Sequence, residues 1–156
     1  VMDTKIIVIW VGLLLAVFAY KKWYSEALFL GSNLVLTALL VLLLKNIYQR
    51  PRPSILHLVE EKGFSFPSGH SLASTLVLGS LIIIISQHVK NKTARYCLQG
   101  LLVLGIVTIV VSRVYVGVHY PSDVLGSMIL GLAVLQFEYP LYDRLRFQWR
   151  FTGKQK

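Results

Sequence analysis

The residues of this chain that could do chemistry fall into three short polar clusters. The first is the segment from Lys45 to Pro53, in which Lys45 and Arg52 lie close to two prolines. Prolines end a helix because they lack an N–H and restrict the residue before them, so this segment predicts two cations fixed by a helix end and a rigid turn. An arginine fork and a lysine point charge together suit a phosphate. Taken alone, the same charges would equally serve membrane topology or lipid headgroups.

The second cluster is Pro67-Ser68-Gly69-His70, which directly precedes an apolar run. Ser68 is a favoured helix N-cap, and Gly69 lets a ligand approach the backbone closely. The unbonded N–H groups at a helix N-terminus bind anions, so His70 in the first turn would face whatever binds there. The alternative is that His70 is only a capping residue at the membrane interface.

The third cluster begins with Ser112-Arg113 and continues, after five further residues, with His119 and then Asp123. The four-residue spacing allows the carboxylate of Asp123 to reach a ring nitrogen of His119 and fix its tautomer, as in a nucleophile and its orienting group. The alternative is a helix N-cap beside a turn histidine. Together the clusters supply cations, histidines and a carboxylate, which phosphoryl transfer requires. The residues alone do not decide which histidine is the nucleophile, although Asp123 favours His119.

Long apolar runs separate these clusters and must position them. The chain is 55% hydrophobic and only 15% charged, whereas soluble domains average about 25% charged residues. Five runs of about 15 to 18 residues cover Ile6–Tyr20, Ala27–Leu44, Leu72–Gln87, Cys97–Val111 and Val124–Tyr139. Each is slightly shorter than the roughly 20 residues that cross a bilayer core, but flanking basic and aromatic residues extend it. We therefore predict an all-α fold: one polytopic transmembrane helix bundle over residues 1–156, with five membrane helices. Five buried helices of a soluble protein would need a much larger protein around them.

Small residues recur at helix-packing distances in the last run. Ser122 precedes Gly126 by four residues, and Ser127 precedes Gly131 by the same spacing. Such residues let helix backbones approach closely in lipid, so this side of the last helix is expected to pack against a neighbour.

The distribution of lysine and arginine predicts the orientation of the helices. Ten of these residues fall on one side of the membrane: Lys21, Lys22, Lys90, Lys92, Arg95, Arg144, Arg146, Arg150, Lys154 and Lys156. Six fall on the other side: Lys5, Lys45, Arg50, Arg52, Lys62 and Arg113. Because cytoplasmic loops carry the excess, we predict a multi-pass plasma-membrane protein whose three clusters face the extracytoplasmic side. This orientation places residues 1–5 outside, and we expect a further helix to precede them.

The formal net charge of +9 raises the question of a nucleic-acid partner. The basic residues lie at the ends of apolar runs, and the tail from Arg144 to Lys156 mixes them with aromatic residues directly after a membrane helix. This pattern favours anionic lipid of the inner leaflet over nucleic acid. His57 and the charged residues 60–62 are expected to form an exposed outer loop.

The three clusters also carry a family resemblance. In order and spacing they resemble the three signature motifs of the type 2 phosphatidic acid phosphatase (PAP2) family. The residues that carry the resemblance are Lys45 with Arg52-Pro53, then Pro67-Ser68-Gly69-His70, then Ser112-Arg113 with His119 and Asp123. The flanking apolar runs fit the layout of that family, which usually has six membrane helices. The resemblance therefore agrees with a first helix that lies outside these residues. Vanadium haloperoxidases share the motifs but are soluble, and this composition excludes them.

The resemblance implies a role for each motif residue. His119 attacks phosphorus and forms a phosphohistidine, Asp123 accepts a hydrogen bond from its other nitrogen, and His70 protonates the leaving oxygen. The groups implied to hold the phosphoryl oxygens are Lys45, Arg52, Ser68, Gly69 and Arg113. The implied activity is hydrolysis of the terminal phosphate of a membrane lipid. The small size resembles bacterial members that act on phosphatidylglycerophosphate or, as the alternative, on undecaprenyl pyrophosphate.

No cofactor or metal is expected, because lysine and arginine already supply the positive charge that a phosphate needs and would repel a divalent cation. A rival interpretation is a non-enzymatic lipid-binding or transport protein. Against it, the apolar runs carry no charge in their middle, where transport sites lie. All the candidate chemistry lies at one interface.

Overall fold

The computed structural model describes residues 4–54 and 63–155, and every regular element in these ranges is an α-helix. His57 and residues 60–62, expected in an exposed loop, lie outside the described residues. The five helices are α1 (Thr4–Tyr20), α2 (Tyr24–Tyr48), α3 (Gly69–His88), α4 (Lys92–Tyr115) and α5 (Pro121–Phe151). The predicted all-α bundle with five apolar helices is confirmed.

The helices are longer than the apolar runs that predicted them. Helices α2 to α5 have 20 to 31 residues and are long and apolar enough to cross a membrane, whereas α1 contributes a shorter apolar helix. The extra turns come from polar residues at the helix ends. Capping side chains and water can bond the backbone N–H and C=O groups that have no partner within the helix there. In α5 the helix continues past Pro140 to Phe151, although a proline removes one hydrogen bond of the helical ladder.

Helix α3 lies at the centre of the bundle and packs against α2, α4 and α5. Its Leu72 and Leu76 are fully buried, together with Leu30 of α2. The outward faces of the other helices remain apolar, since Leu101 is 64% exposed and Ile129 is 68% exposed. Exposing each such side chain to water would forfeit about 1.5–3 kcal/mol. These faces therefore fit hydrocarbon as their solvent.

The small residues of α5 make the predicted close contacts. A Cβ added to Gly131 would lie 2.8 Å from the side chain of Thr75 on α3, and one added to Gly126 would lie 3.0 Å from the Phe66 ring. A larger side chain at Gly131 would force α5 away from α3, and one at Gly126 would displace the Phe66 ring. The close approach holds the start of α5 beside the start of α3.

The end of the bundle opposite the three motifs is held by a buried polar network. Glu26 is fully buried and lies 2.8 Å from Nε2 of His88, whose ring stacks on Trp23 at a centroid distance of 3.8 Å. The hydroxyl of Ser25 donates to Glu26 at 2.8 Å, and Gln155 in turn bonds both the backbone N–H and the hydroxyl of Ser25. This network joins α2, α3 and the end of the chain after α5.

Candidate active site

The alternation of the helices brings all three motifs to one end of the bundle. Helices α2 and α4 end there, while α3 and α5 begin there. The first motif therefore begins in the last turn of α2, the second opens α3, and the third runs from the end of α4 into α5. Residues that are far apart in the chain become neighbours because antiparallel helices place their connections at a common end.

The third motif forms a buried histidine–carboxylate pair. His119 is 3% exposed and Asp123 is fully buried. The Nδ1 atom of His119 lies 4.0 Å from Oδ2 of Asp123, which is within ion-pair range and longer than a formed hydrogen bond. Asp123 occupies the third position of α5, and its Oδ2 also accepts the backbone N–H of Tyr120 at 3.0 Å. The carboxylate of Asp123 therefore faces the histidine, as one expectation had it. The other is wrong in its position, because the N-cap residue is Tyr120 and Asp123 accepts its N–H from the third position of the helix.

Two residues outside the predicted set hold the carboxylate of Asp123. Nη1 of Arg50 lies 2.5 Å from Oδ1, and the hydroxyl of Ser65 donates a short hydrogen bond to Oδ2. Desolvating a carboxylate costs several kcal/mol unless charge and hydrogen bonds compensate it. These contacts make a fully buried Asp123 tolerable at this position.

The second motif begins α3 as predicted. Ser68 is the N-cap, fully buried, and its hydroxyl accepts the N–H of Ser71 at 3.4 Å and shares a hydrogen bond with the Ser71 hydroxyl at 2.9 Å. Gly69 and His70 follow in the first helical turn and are half-buried. The positive end of the α3 dipole therefore points to the same end of the bundle as His119.

Ser127 joins the second motif to the third. Its hydroxyl accepts the backbone N–H of Ser68 at 2.9 Å and donates to the carbonyl of Asp123 at 2.6 Å. Ser127 is fully buried, so water does not compete for either hydrogen bond. One hydroxyl therefore sets the distance between the start of α3 and the first turn of α5.

The first motif approaches the other two at the end of α2 and through the side chain of Arg52. Lys45 lies in the last turn of α2, one turn after Val41, and Val41 faces Gly69 with 3.8 Å between its methyl groups and a Cβ built on the glycine. Arg52 donates from Nε to the carbonyl of Gly63 at 3.1 Å and from Nη1 to the carbonyl of Val118 at 2.8 Å. The guanidinium of Arg52 is thus held beside the residue that precedes His119.

Arg113 lies in the last turn of α4 and is only 4% exposed. Its Nε approaches the hydroxyl of Ser112 at 3.4 Å. A guanidinium this deeply buried must be matched by acceptors or by an anion. Together with Lys45 and Arg52 it gives three cations to the end of the bundle where α3 begins, which is an environment for a multiply charged anion.

The residues missed by the sequence interpretation are Arg50, Ser65 and Ser127. From the sequence alone, Arg50 is one of the charges that set the topology, and Ser127 is one of the small residues at helix-packing distances in the last apolar run. A polar residue beside a motif in an apolar chain was the one available signal, since polar groups in such chains are expensive to keep.

Within the described residues, His, Cys, Asp and Glu side chains form no group of three that could hold a metal ion. The expectation of metal-independent chemistry stays a prediction.

Comparison with known proteins finds a family match and several relatives. The model of the PAP2 superfamily matches residues 26–147. The chain is 37% identical over 122 residues to phosphatidylglycerophosphatase B of Bacillus subtilis (strain 168), covering 74% of this chain and 57% of that protein. It is 31% identical over 147 residues to undecaprenyl-diphosphatase BcrC of the same organism, covering 90% and 71%.

A solved structure matches as well. The crystal structure of a transmembrane PAP2 type phosphatidylglycerolphosphate phosphatase from Bacillus subtilis superimposes with a TM-score of 0.83 at 26% identity, over 91% of this chain and 71% of that chain. The chain thus spans little more than half the length of the phosphatidylglycerophosphatase B, and about seven-tenths of the undecaprenyl-diphosphatase and of the solved structure.

Proposed function

Because this chain belongs to the PAP2 superfamily, we propose that it is an integral-membrane lipid phosphatase that removes the terminal phosphate of a lipid phosphate without a metal ion. The observation that carries the proposal is the buried pair of His119 and Asp123 at the end of the bundle where α3 begins. Arg52 bonds the carbonyl of Val118, next to His119, and Arg113 ends α4 at the same end of the bundle. The outer faces of this scaffold suit lipid.

The proposed reaction has two steps, with His119 as the nucleophile. Its Nδ1 faces Asp123, so Nε2 attacks phosphorus, forms the N–P bond and displaces the lipid oxygen as the P–O bond breaks. His70 donates its proton to that leaving oxygen. A water molecule then attacks the phosphohistidine, His70 accepts a proton from it, and inorganic phosphate leaves as the N–P bond breaks.

Asp123 has an electrostatic part in both steps. Its carboxylate holds the Nδ1–H tautomer of His119, and it stabilises the positive charge that the ring gains when phosphorus is bound. We expect the 4.0 Å separation to shorten to hydrogen-bond length in the reactive complex, since such contacts often tighten there.

The phosphoryl oxygens are held by positive groups from all three motifs. Lys45, Arg52 and Arg113 supply cations, and the start of α3 supplies the Gly69 amide and the Ser68 hydroxyl. Charge that shifts between the oxygens during transfer is stabilised by donors already in place, which is the main source of catalysis in phosphoryl transfer. These groups provide the charge that a metal ion would otherwise supply.

We assign phosphatidylglycerophosphate as the preferred substrate, on the similarity to the Bacillus subtilis phosphatidylglycerophosphatase B. Undecaprenyl pyrophosphate is the second candidate, because the relative named undecaprenyl-diphosphatase aligns with 90% of this chain. Both place a phosphate at the interface above a long apolar chain, and the motif residues contact only the phosphate.

The proposed site faces the extracytoplasmic side of the plasma membrane. From the sequence, ten of the sixteen Lys and Arg are expected on the opposite side of the membrane, and the cytoplasmic side holds that excess in membrane proteins. A cysteine introduced after α2 and labelled in intact cells by a membrane-impermeant thiol reagent tests this orientation.

The test of the activity is phosphate release by purified, detergent-solubilised protein. Phosphatidylglycerophosphate, undecaprenyl pyrophosphate and phosphatidate are offered in parallel, with His119→Ala as the control and with EDTA in a matched series. We expect release that survives EDTA and disappears in the variant, and the ratio of the rates identifies the preferred lipid. If the folded protein releases phosphate from none of these lipids, the lipid-binding or transport interpretation is favoured instead.

A further inference from the structure

Arg50 stands between Lys45 and Arg52 in the first motif, but its side chain is directed at the third. Its Nη1 lies 2.5 Å from Oδ1 of Asp123 and 2.9 Å from the hydroxyl of Ser122. We propose that Arg50 and Ser65 together are the positioning residues for Asp123, and through it for His119, rather than ligands of the phosphate. The inference rests on the proposed lipid phosphatase activity.

The geometry of Arg50 commits its guanidinium to the start of α5. Besides its two contacts through Nη1, the guanidinium carbon lies 4.3 Å from the centroid of the Tyr120 ring. One arginine therefore contacts the residue before α5, its second residue and its third. Pro51 follows directly and fixes the backbone that carries the side chain. A cation placed in this way orders the segment between His119 and the first turn of α5.

Ser65, which lies four residues before the start of α3, completes the arrangement. Its backbone N–H donates to the carbonyl of Arg50 at 2.8 Å, and its hydroxyl donates to Oδ2 of Asp123. Arg50 and Ser65 thus pair through their backbones and send their side chains to different oxygens of one carboxylate. With the Tyr120 N–H also on Oδ2 at 3.0 Å, the carboxylate cannot rotate without losing hydrogen bonds.

The consequence for the reaction concerns Oδ2, which is the oxygen that faces Nδ1 of His119 at 4.0 Å. A carboxylate fixed on both oxygens presents Oδ2 to the histidine in one orientation, so its part in catalysis depends on Arg50 and Ser65. Loss of either partner leaves the phosphate ligands in place but loosens the group that orients the nucleophile. The expected defect is therefore in kcat rather than in substrate binding.

The first test compares Arg50→Gln with Arg52→Gln in steady-state assays on the preferred lipid. Arg50→Gln is expected to lower kcat by about 10–100-fold, as outer partners of active-site groups commonly do, with KM and the inhibition constant of inorganic phosphate changed less than about twofold. Arg52→Gln, by contrast, raises both constants. Arg50→Lys keeps a cation near Asp123 and retains most of the activity, and Ser65→Ala has a smaller kcat defect of the same kind.

The second test is a double-mutant cycle with Asp123→Asn. If Arg50 acts through Asp123, then Arg50→Gln costs less than about threefold in the Asp123→Asn background, while Arg52→Gln costs as much there as in the wild type. Fully additive losses for Arg50→Gln, or a weakened inhibition by phosphate like that of Arg52→Gln, would overturn the proposal.

Thermal unfolding distinguishes a folding defect from a catalytic one. The wild-type rate distinguishes a failure of this inference from a failure of the proposed function. A variant that is unstable in detergent is replaced by Ser65→Ala, whose kcat must still fall without a change in KM for the inference to stand, while Arg50→Lys must retain most of the activity. Failure of the wild type to hydrolyse any lipid counts against the proposed function. An active wild type with unaffected variants counts only against the role of Arg50 and Ser65.

Discussion

Substitution Ser127→Ala tests whether one hydroxyl holds the second and third motifs together. The change removes a hydrogen bond from the buried N–H of Ser68 at 2.9 Å and another to the carbonyl of Asp123 at 2.6 Å. That carbonyl keeps its helical hydrogen bond within α5, so the N–H of Ser68 bears most of the loss. A buried donor left unsatisfied costs about 1–3 kcal/mol. In a chain of this size each kcal/mol lowers Tm by about 2–4 °C.

The assay is thermal unfolding in detergent, followed by kcat on the preferred lipid at a temperature where the variant is folded. The matched control is Ser86→Ala, because Ser86 is exposed and its hydroxyl bonds only the Ile83 carbonyl of its own helix. We expect the control to stay within about 0.5 kcal/mol of the wild type, as ordinary surface substitutions do. We also expect Ser127→Ala to lose kcat, since Ser68 begins the helix that faces the phosphate. A Ser127→Ala protein as stable and active as the control would refute the reasoning.

Three further predictions address the nucleophile, the opposite end of the bundle and the helix packing. Asp123→Asn should lower kcat by about 10³–10⁴-fold, as loss of an orienting carboxylate does elsewhere; phosphate release within tenfold of the wild-type rate would contradict its role. Glu26→Ala should reduce stability by about 1–3 kcal/mol by removing the buried partner of His88, while kcat of the folded protein stays within about twofold; a large kcat loss in stable protein would link this end to the chemistry. Gly131→Val should cost about 1–3 kcal/mol through overpacking, whereas Gly100→Val, which has open space around its Cβ, should cost less than half of that in the same unfolding assay.

The local features of this site follow from the sequence because they depend on neighbours only a few residues apart. Ser68 before an apolar run predicted the N-cap of α3, and the structure has it there. The four-residue spacing of His119 and Asp123 predicted their proximity, and the structure brings the two side chains together although His119 lies in the turn before α5. The five apolar runs predicted five helices, because a continuous apolar stretch in a chain with few charges has no other stable solution in lipid.

The sequence underestimated the length of the helices for a physical reason. Hydrophobicity marks the part of a helix that lies in hydrocarbon, whereas the hydrogen-bonded ladder continues into the polar interface. Helix α5 thus continues from the expected end at Tyr139 to Phe151. The basic residues between Tyr139 and Phe151 therefore belong to the helix.

Only the tertiary structure decided which polar residues support the motif residues. Arg50 reaches Asp123 across 73 positions of the chain, and Ser65 reaches it across 58. Glu26 and His88 meet across 62 positions. No local periodicity or capping rule encodes such pairs, because they depend on how helices of different length and tilt come together. The sequence by itself determined the motif residues and the helices that carry them, while helix packing determined the hydrogen bonds and ion pairs that hold them in place.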